Sequence, residues 1–220
     1  MRVRRERAAL DPRVARSRAA ILEAASRQFL AHGYLAANVD EIAAEARVSK
    51  RTIYNIFGGK EQLFREILSG SIETAERFAR QVAGELGEAA DVEAELTELA
   101  VLLAQTVVSE RIVTLRRLLI GEAARFPELA REYYGRAPGR VMAAIAEGLA
   151  RLDRRGLLRV ENPLLASEHF AFLAIGASLD RALFVGVEDA PPAGEIADRA
   201  REGVAAFVRA YRPTREPTNL

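Results

Sequence analysis

Cysteine and tryptophan are absent from the 220 residues, and methionine and histidine occur twice each. Without cysteine there is no disulfide framework, no thiolate nucleophile and no thiolate metal ligand. A di-iron site in a helical bundle needs Glu-x-x-His pairs. Here Phe29 stands three residues before His32, and Ala166 three before His169. There is no Gly-rich phosphate loop and no catalytic triad, so neither catalysis nor a metal or other cofactor is expected. No bounded run alternates Val, Ile and Thr with polar residues, which argues against strands. The longest strongly apolar stretch, Phe170 to Leu179, is far too short to span a bilayer. The basic start MRVRRERAAL has no apolar run behind it and is not a secretory signal. A soluble, cytoplasmic protein with no membrane partner is expected.

What is present is helical. Half of the residues are hydrophobic, so a sizeable core can form. The formal net charge of +1 hides an asymmetry. Residues 1–60 carry 12 Lys/Arg against 6 Asp/Glu, and the remainder carries 20 against 25. A basic head on a mildly acidic body points to a polyanion partner for the head.

The apolar periodicity and the turn residues predict an all-α chain of about nine helices. Residues 1–10 are Arg-rich and read as a mobile arm. Asp11-Pro12 caps and opens a helix to about His32, with Ile21, Leu22, Ala25, Phe29 and Leu30 as its buried stripe and Gly33 as its C-cap. Gly58-Gly59 precedes a longer helix from Lys60 to about Val82. Asp91 caps the next, and another carries Ile112, Leu115 and Leu119. A span from Glu128 to Arg155 contains Pro138-Gly139, which should kink or split it. Asn162-Pro163 opens a helix to about Val185, and a last helix follows Pro191-Pro192 to about Tyr211.

The most informative stretch is NVDEIAAEARVSKRTIYNIF, Asn38 to Phe57. Val39, Ile42, Ala43 and Ala46 share one side of a first short helix that Asn38 can cap. Ser49 caps a second, in which Ile53 and Phe57 face inward. That second helix is too short to be stable alone and needs a scaffold. Its outer face carries Lys50, Arg51, Thr52, Tyr54 and Asn55, the form of a DNA-reading helix.

From Ile21 to Leu68 the chain resembles the N-terminal domain of the TetR family of transcriptional repressors. The resemblance rests on an Ala-rich helix ending F-x-x-x-G-Y, on V-x-x-I-A-x-x-A-x-V-S, on T-I-Y-x-x-F and on K-E-x-L-F, in that order. It implies a helix-turn-helix DNA-binding domain over residues 11–60. A C-terminal helical domain for ligand binding and dimerisation would occupy 61–212. Helix geometry and the resemblance together assign Thr52, Tyr54, Lys60 and Asn38 to phosphates, and Lys50, Arg51 and Asn55 to base edges. Arg47 stands where the family usually has Gly in the turn. It either keeps a left-handed backbone, reaches a phosphate, or lets the turn relax. Arg51 adds a cation where the family often has a small residue.

In the C-terminal half, the helices over about 163–185 and 193–211 are the expected homodimer interface: the first is apolar on more than one face, and the second pairs with it through Ile196, Val204, Phe207, Val208 and Tyr211. A ligand cavity is expected among Leu99, Leu103, Leu115, Leu119, Met142, Phe172 and His169, with Gln105, Arg116 and Tyr133 as polar accents. These features predict a homodimeric repressor that binds a palindromic operator on double-stranded DNA and is released by a small-molecule inducer. A non-catalytic helical adaptor, or a regulator acting as an activator, is the alternative.

Overall fold

The computed structural model describes residues 12–88, 91–186 and 191–213, and these are helical with no strand among them. The Arg-rich start and the Asp11 cap lie outside the described residues. In chain order the helices are α1 (Pro12–Ala36), α2 (Val39–Glu45), α3 (Lys50–Phe57), α4 (Lys60–Glu85), α5 (Val92–Val107) and α6 (Glu110–Glu122). Then come α7 (Pro127–Arg136), α8 (Pro138–Arg154), α9 (Pro163–Ala171), a π-helical turn (Phe172–Gly176), α10 (Ala177–Val185) and α11 (Ala193–Ala210).

Three spans differ from the periodicity. Gly33 does break α1, with φ 75° and ψ 170°, but one further turn continues to Ala36. The span predicted over 128–155 is two helices. Ala137 closes α7 with its N–H on the Tyr133 carbonyl at 2.9 Å, and Pro138, which has no N–H to donate, opens α8. The span over 163–185 stays continuous, but a π turn interrupts its α-helical register.

The chain divides between Ser69 and Gly70 into two compact units. In the first, α1 packs on α2 and α2 on α3. Phe29 and Phe64 are fully buried, and their rings meet edge to face at 5.7 Å. Tyr34 adds a third ring, 5.7 Å from Phe29 and 5.3 Å from Phe64. Each buried ring contributes about 1.5–3 kcal/mol of burial. Leu63, Phe64 and Leu68 are buried here, which places the start of α4 in the first unit.

In the second unit α11 packs along α5 and across the π turn, while α8 packs on α9. Phe170 and Phe207 are fully buried edge to face at 5.4 Å, and Phe207 stacks on Tyr211 at 4.4 Å. Gly203 of α11 meets the π turn with no room for a side chain: a Cβ there would lie 2.4 Å from the Leu173 carbonyl oxygen. The end of α4 is capped from α8. Arg151 donates to the Ala83 carbonyl at 2.7 Å and to the Leu86 carbonyl at 2.9 Å, and Arg155 donates to the Gly87 carbonyl. Carbonyls without a helical partner are thereby satisfied.

Candidate nucleic-acid interface

The second short helix, α3, is eight residues long and is held by its ends and one face. Ser49, extended at φ −79° and ψ 150°, accepts the Thr52 N–H on its hydroxyl at 3.1 Å. At the other end Gly58 takes a left-handed φ of 78°, and its N–H closes on the Tyr54 carbonyl at 2.8 Å. That backbone strongly favours glycine. Ile53 and Phe57 are buried beneath. The Arg18 guanidinium lies 4.8 Å over the Phe57 ring and also pairs with Glu66 at 2.6 Å.

The turn before α3 decides the Arg47 question. The Val48 N–H reaches back to the Ala43 carbonyl at 3.0 Å, and the Arg47 N–H to the Ala44 carbonyl at 3.1 Å. This is the Schellman pattern, and its left-handed position is filled by Arg47 at φ 54°, the one described non-glycine residue with positive φ. The turn therefore does not relax. It keeps the glycine geometry with an arginine in it, at a cost of about 1 kcal/mol.

The eight expected DNA-contact residues all belong to the first unit, in three settings. Arg47, Arg51, Tyr54 and Asn55 are exposed, and their side chains form no hydrogen bond or ion pair among the described residues. Asn38, Lys50 and Lys60 are engaged with the protein. The Asn38 side chain caps α2 by accepting the Asp40 N–H at 2.8 Å. Lys50 donates to Asp40 at 3.0 Å, and that hydrogen bond raises its pKa above the ordinary value. Lys60 donates to the Leu35 carbonyl at 2.9 Å, with its ammonium 4.9 Å over the Tyr34 ring. Thr52 is half-buried, and its hydroxyl shares a hydrogen bond with Ser49 at 2.8 Å. Sequence spacing did not reveal Asp40 as a carboxylate beside the exposed face. Nor did it reveal Arg27, which ties α1 to Glu45 at the end of α2. No local pattern marks either pair.

The ten residues expected to line a cavity are not brought together. Gln105, His169 and Phe172 are exposed, Leu99, Arg116 and Met142 are half-buried, and Leu103, Leu115, Leu119 and Tyr133 are core. His169 Nδ1 hydrogen-bonds the Tyr211 hydroxyl at 2.7 Å. A cavity of about 410 Å³ instead opens between α4 and α5, and of the ten only Leu99 lines it. Phe172 alone enters a second, of about 310 Å³, between the π turn and α11. An apolar stripe shows that a residue faces a neighbouring helix, not that a gap lies between them.

The expected interface helices separate in the same way. On α9, the π turn and α10, Leu165, Phe172, Leu173, Phe184 and Val185 are exposed, Phe172 by 71% and Phe184 by 79%. Ile196, Val204, Phe207 and Val208 of α11 are buried inside their own unit, where α11 packs on α9 and the π turn as expected.

Residues 21–67 match the model of the tetR family of bacterial regulatory proteins. Residues 94–213 match that of the AefR-like transcriptional repressor C-terminal domain. A 61-residue segment is 46% identical to the HTH-type transcriptional repressor SCO4008 of Streptomyces coelicolor, covering 28% of this chain and 31% of that protein. A 49-residue segment is 49% identical to the HTH-type transcriptional regulator YhgD of Bacillus subtilis, covering 22% of this chain and 26% of that protein. The matches thus span less than a third of these curated relatives. A crystal structure described as a TetR-family transcriptional regulator from Mesorhizobium loti is 32% identical, with a TM-score of 0.83 over 92% of this chain and 100% of that one. The flavonoid-responsive regulator FrrA is 27% identical, with a TM-score of 0.69 over 91% and 100%.

Proposed function

The chain belongs to the TetR family of bacterial transcriptional regulators, and on that premise we propose that it is a ligand-responsive repressor that grips a palindromic operator as a homodimer. It is a DNA-binding regulator and not an enzyme. The observation that carries the proposal is the α3 surface. A short helix fixed at both ends presents Arg51, Tyr54 and Asn55 to solvent, with Arg47 in the turn beside it.

Arg51 suits the O6 and N7 of guanine, and Asn55 suits the N6 and N7 of adenine. Tyr54 and Arg47 flank them and reach phosphates. Lys50 and Lys60 join when a phosphate competes for their ammonium groups. The Lys50–Asp40 pair is more than half exposed on both sides, so it opens at little cost. One α3 reads only a few base pairs, so a second copy is needed. The exposed apolar run through Phe172, Leu173, Phe184 and Val185 supplies a surface for it. Two α3 helices about 34–36 Å apart then enter successive major grooves. A small molecule held in the C-terminal unit releases the operator by favouring a dimer whose α3 helices no longer match that spacing. The cytoplasm is the compartment this function requires.

The test is a binding-site selection with the full chain, followed by fluorescence anisotropy on the selected duplex at two salt concentrations. The expected result is a palindrome, bound with a steep loss of affinity as salt rises. Recovery of no sequence preference, or binding insensitive to salt, would sink the reading.

A further inference from the structure

We propose that the groove between α4 and α5 binds a lipophilic organic cation, one whose positive charge is spread over or shielded by hydrocarbon. The inducer role of that cation rests on the ligand-responsive reading above, whereas the chemistry of the groove stands on its own geometry.

The groove lies wholly within the second unit and has a volume of about 410 Å³, within the range of small-molecule sites. Phe78, Val82, Leu86, Leu99 and Leu102 give it an apolar lining. The remaining wall is acidic: Glu85 from α4, Asp91 at the cap of α5, and Glu95 and Glu98 on α5. No Lys, Arg or His lines it. Helix spacing sets this arrangement. Phe78, Val82 and Glu85 lie three and four apart on α4, and Asp91, Glu95, Glu98 and Leu102 likewise follow one face of α5.

Hydrogen bonds hold three of the carboxylates in place. Glu85 accepts from Gln81 at 3.1 Å, Asp91 from the Ala94 N–H at 3.0 Å, and Glu95 from the Gly87 N–H at 2.9 Å. Glu85, Asp91 and Glu98 form no ion pair among the described residues. Arg151 and Arg155, which reach the end of α4 from α8, donate to carbonyl oxygens there. Arg151 otherwise approaches Glu88, at 4.0 Å, which does not line the groove.

Two other occupants are disfavoured. A metal ion needs carboxylates that converge, and no group of three His, Cys, Asp or Glu among the described residues is placed to hold one. The negative charge is spread along the groove instead. An acidic or anionic ligand would be repelled from every carboxylate it passed. A cation with an apolar body answers both features: it covers the exposed Leu102 and half-buried Phe78, and it supplies the charge the wall lacks.

Tetraphenylphosphonium and tetraphenylborate share one shape and carry opposite charge, which makes them the probes. Isothermal titration calorimetry on the full chain should show the phosphonium binding and the borate at least about tenfold weaker. The double variant Glu85→Gln, Glu98→Gln changes two exposed side chains and should fold normally by circular dichroism. It should bind the phosphonium about tenfold more weakly, as two partly screened charge contacts would give. Equal binding of the two probes would overturn the proposal, as would an unchanged phosphonium affinity in the double variant. Operator release is read separately by anisotropy. Phosphonium that binds through Glu85 and Glu98 yet leaves the operator bound upholds the cation site and overturns its role as an inducer site.

Discussion

The ammonium of Lys50, at the first position of α3, lies 3.0 Å from the carboxylate of Asp40 in the first turn of α2. One cation of α3 is therefore already paired within the protein. Asp40→Asn removes both the pairing and a negative charge beside the proposed DNA-binding face. Affinity for random-sequence DNA should rise at low salt and by less at high salt. Fluorescence anisotropy on one labelled duplex at two salt concentrations reads this directly. An unchanged affinity at low salt would mean that Asp40 does not border the DNA.

The same pair makes a statement about pH. Its hydrogen bond raises the folded-state pKa of Lys50 above the ordinary 10.5. A group raised in this way keeps its full contribution below the unfolded value and loses it only as pH climbs through the folded one. Lys50 should therefore add no slope to stability or operator affinity between about pH 6 and 9. A titration of affinity in that window that disappears in Lys50→Met would contradict the assigned geometry.

Arg47 stores strain, and Arg47→Gly should release it. Thermal unfolding of the variant should show a gain of about 1 kcal/mol, because glycine accepts φ 54° without a Cβ clash. If Arg47 also reaches a phosphate, the same variant should lose affinity uniformly across sequences and shed about one unit of salt slope. A variant that is less stable than the parent would show that the turn is not the Schellman motif described.

Arg51→Ala should weaken operator binding by about 1–3 kcal/mol and relax one position in the selected sequence. Asn55→Ala should relax a different one. The informative comparison is the recovered motif, because a phosphate contact would lower affinity and leave every position as sharp as before.

The apolar face of the penultimate helical span gives a test of assembly. Phe172→Glu with Phe184→Glu places two charges on side chains that are mostly exposed in one chain, so folding should survive while association fails. Sedimentation should show a monomer, and operator binding should fall with it. Gly203→Ala acts inside the unit instead. Its methyl would meet the Leu173 carbonyl oxygen at 2.4 Å, so the variant should unfold more easily by about 1–3 kcal/mol. Sedimentation should therefore show association lost in the double variant and kept in Gly203→Ala, with the loss of thermal stability the other way round.

Much of the architecture could be read from the sequence because its signals are local. Asn38, Ser49, Asp91 and Asn162 cap the helices they precede, bonding N–H groups two or three residues on. Such a bond depends only on the residue and the turn after it. The inward stripe of α3 is legible for the same reason: Ile53 and Phe57 are one helical turn apart, so they share a face wherever the helix sits. Of the eight expected DNA-contact residues, the exposed position of Arg51 and Asn55 follows from that same periodicity.

Tertiary packing decided what no local rule carries. Lys50 finds Asp40 ten residues back, and Lys60 finds the Leu35 carbonyl twenty-five back. Both outcomes depend on how α2, α3 and α4 are seated rather than on any spacing. Arg47 could relax or hold a left-handed turn, and only the hydrogen bonds from Val48 and Arg47 back to Ala43 and Ala44 selected one. Periodicity marked Phe172 and Phe207 alike as apolar, yet packing buried Phe207 and left Phe172 outside. The groove between α4 and α5 arises the same way. A helix face records which residues travel together, whereas a cavity is set by which two faces meet and how closely.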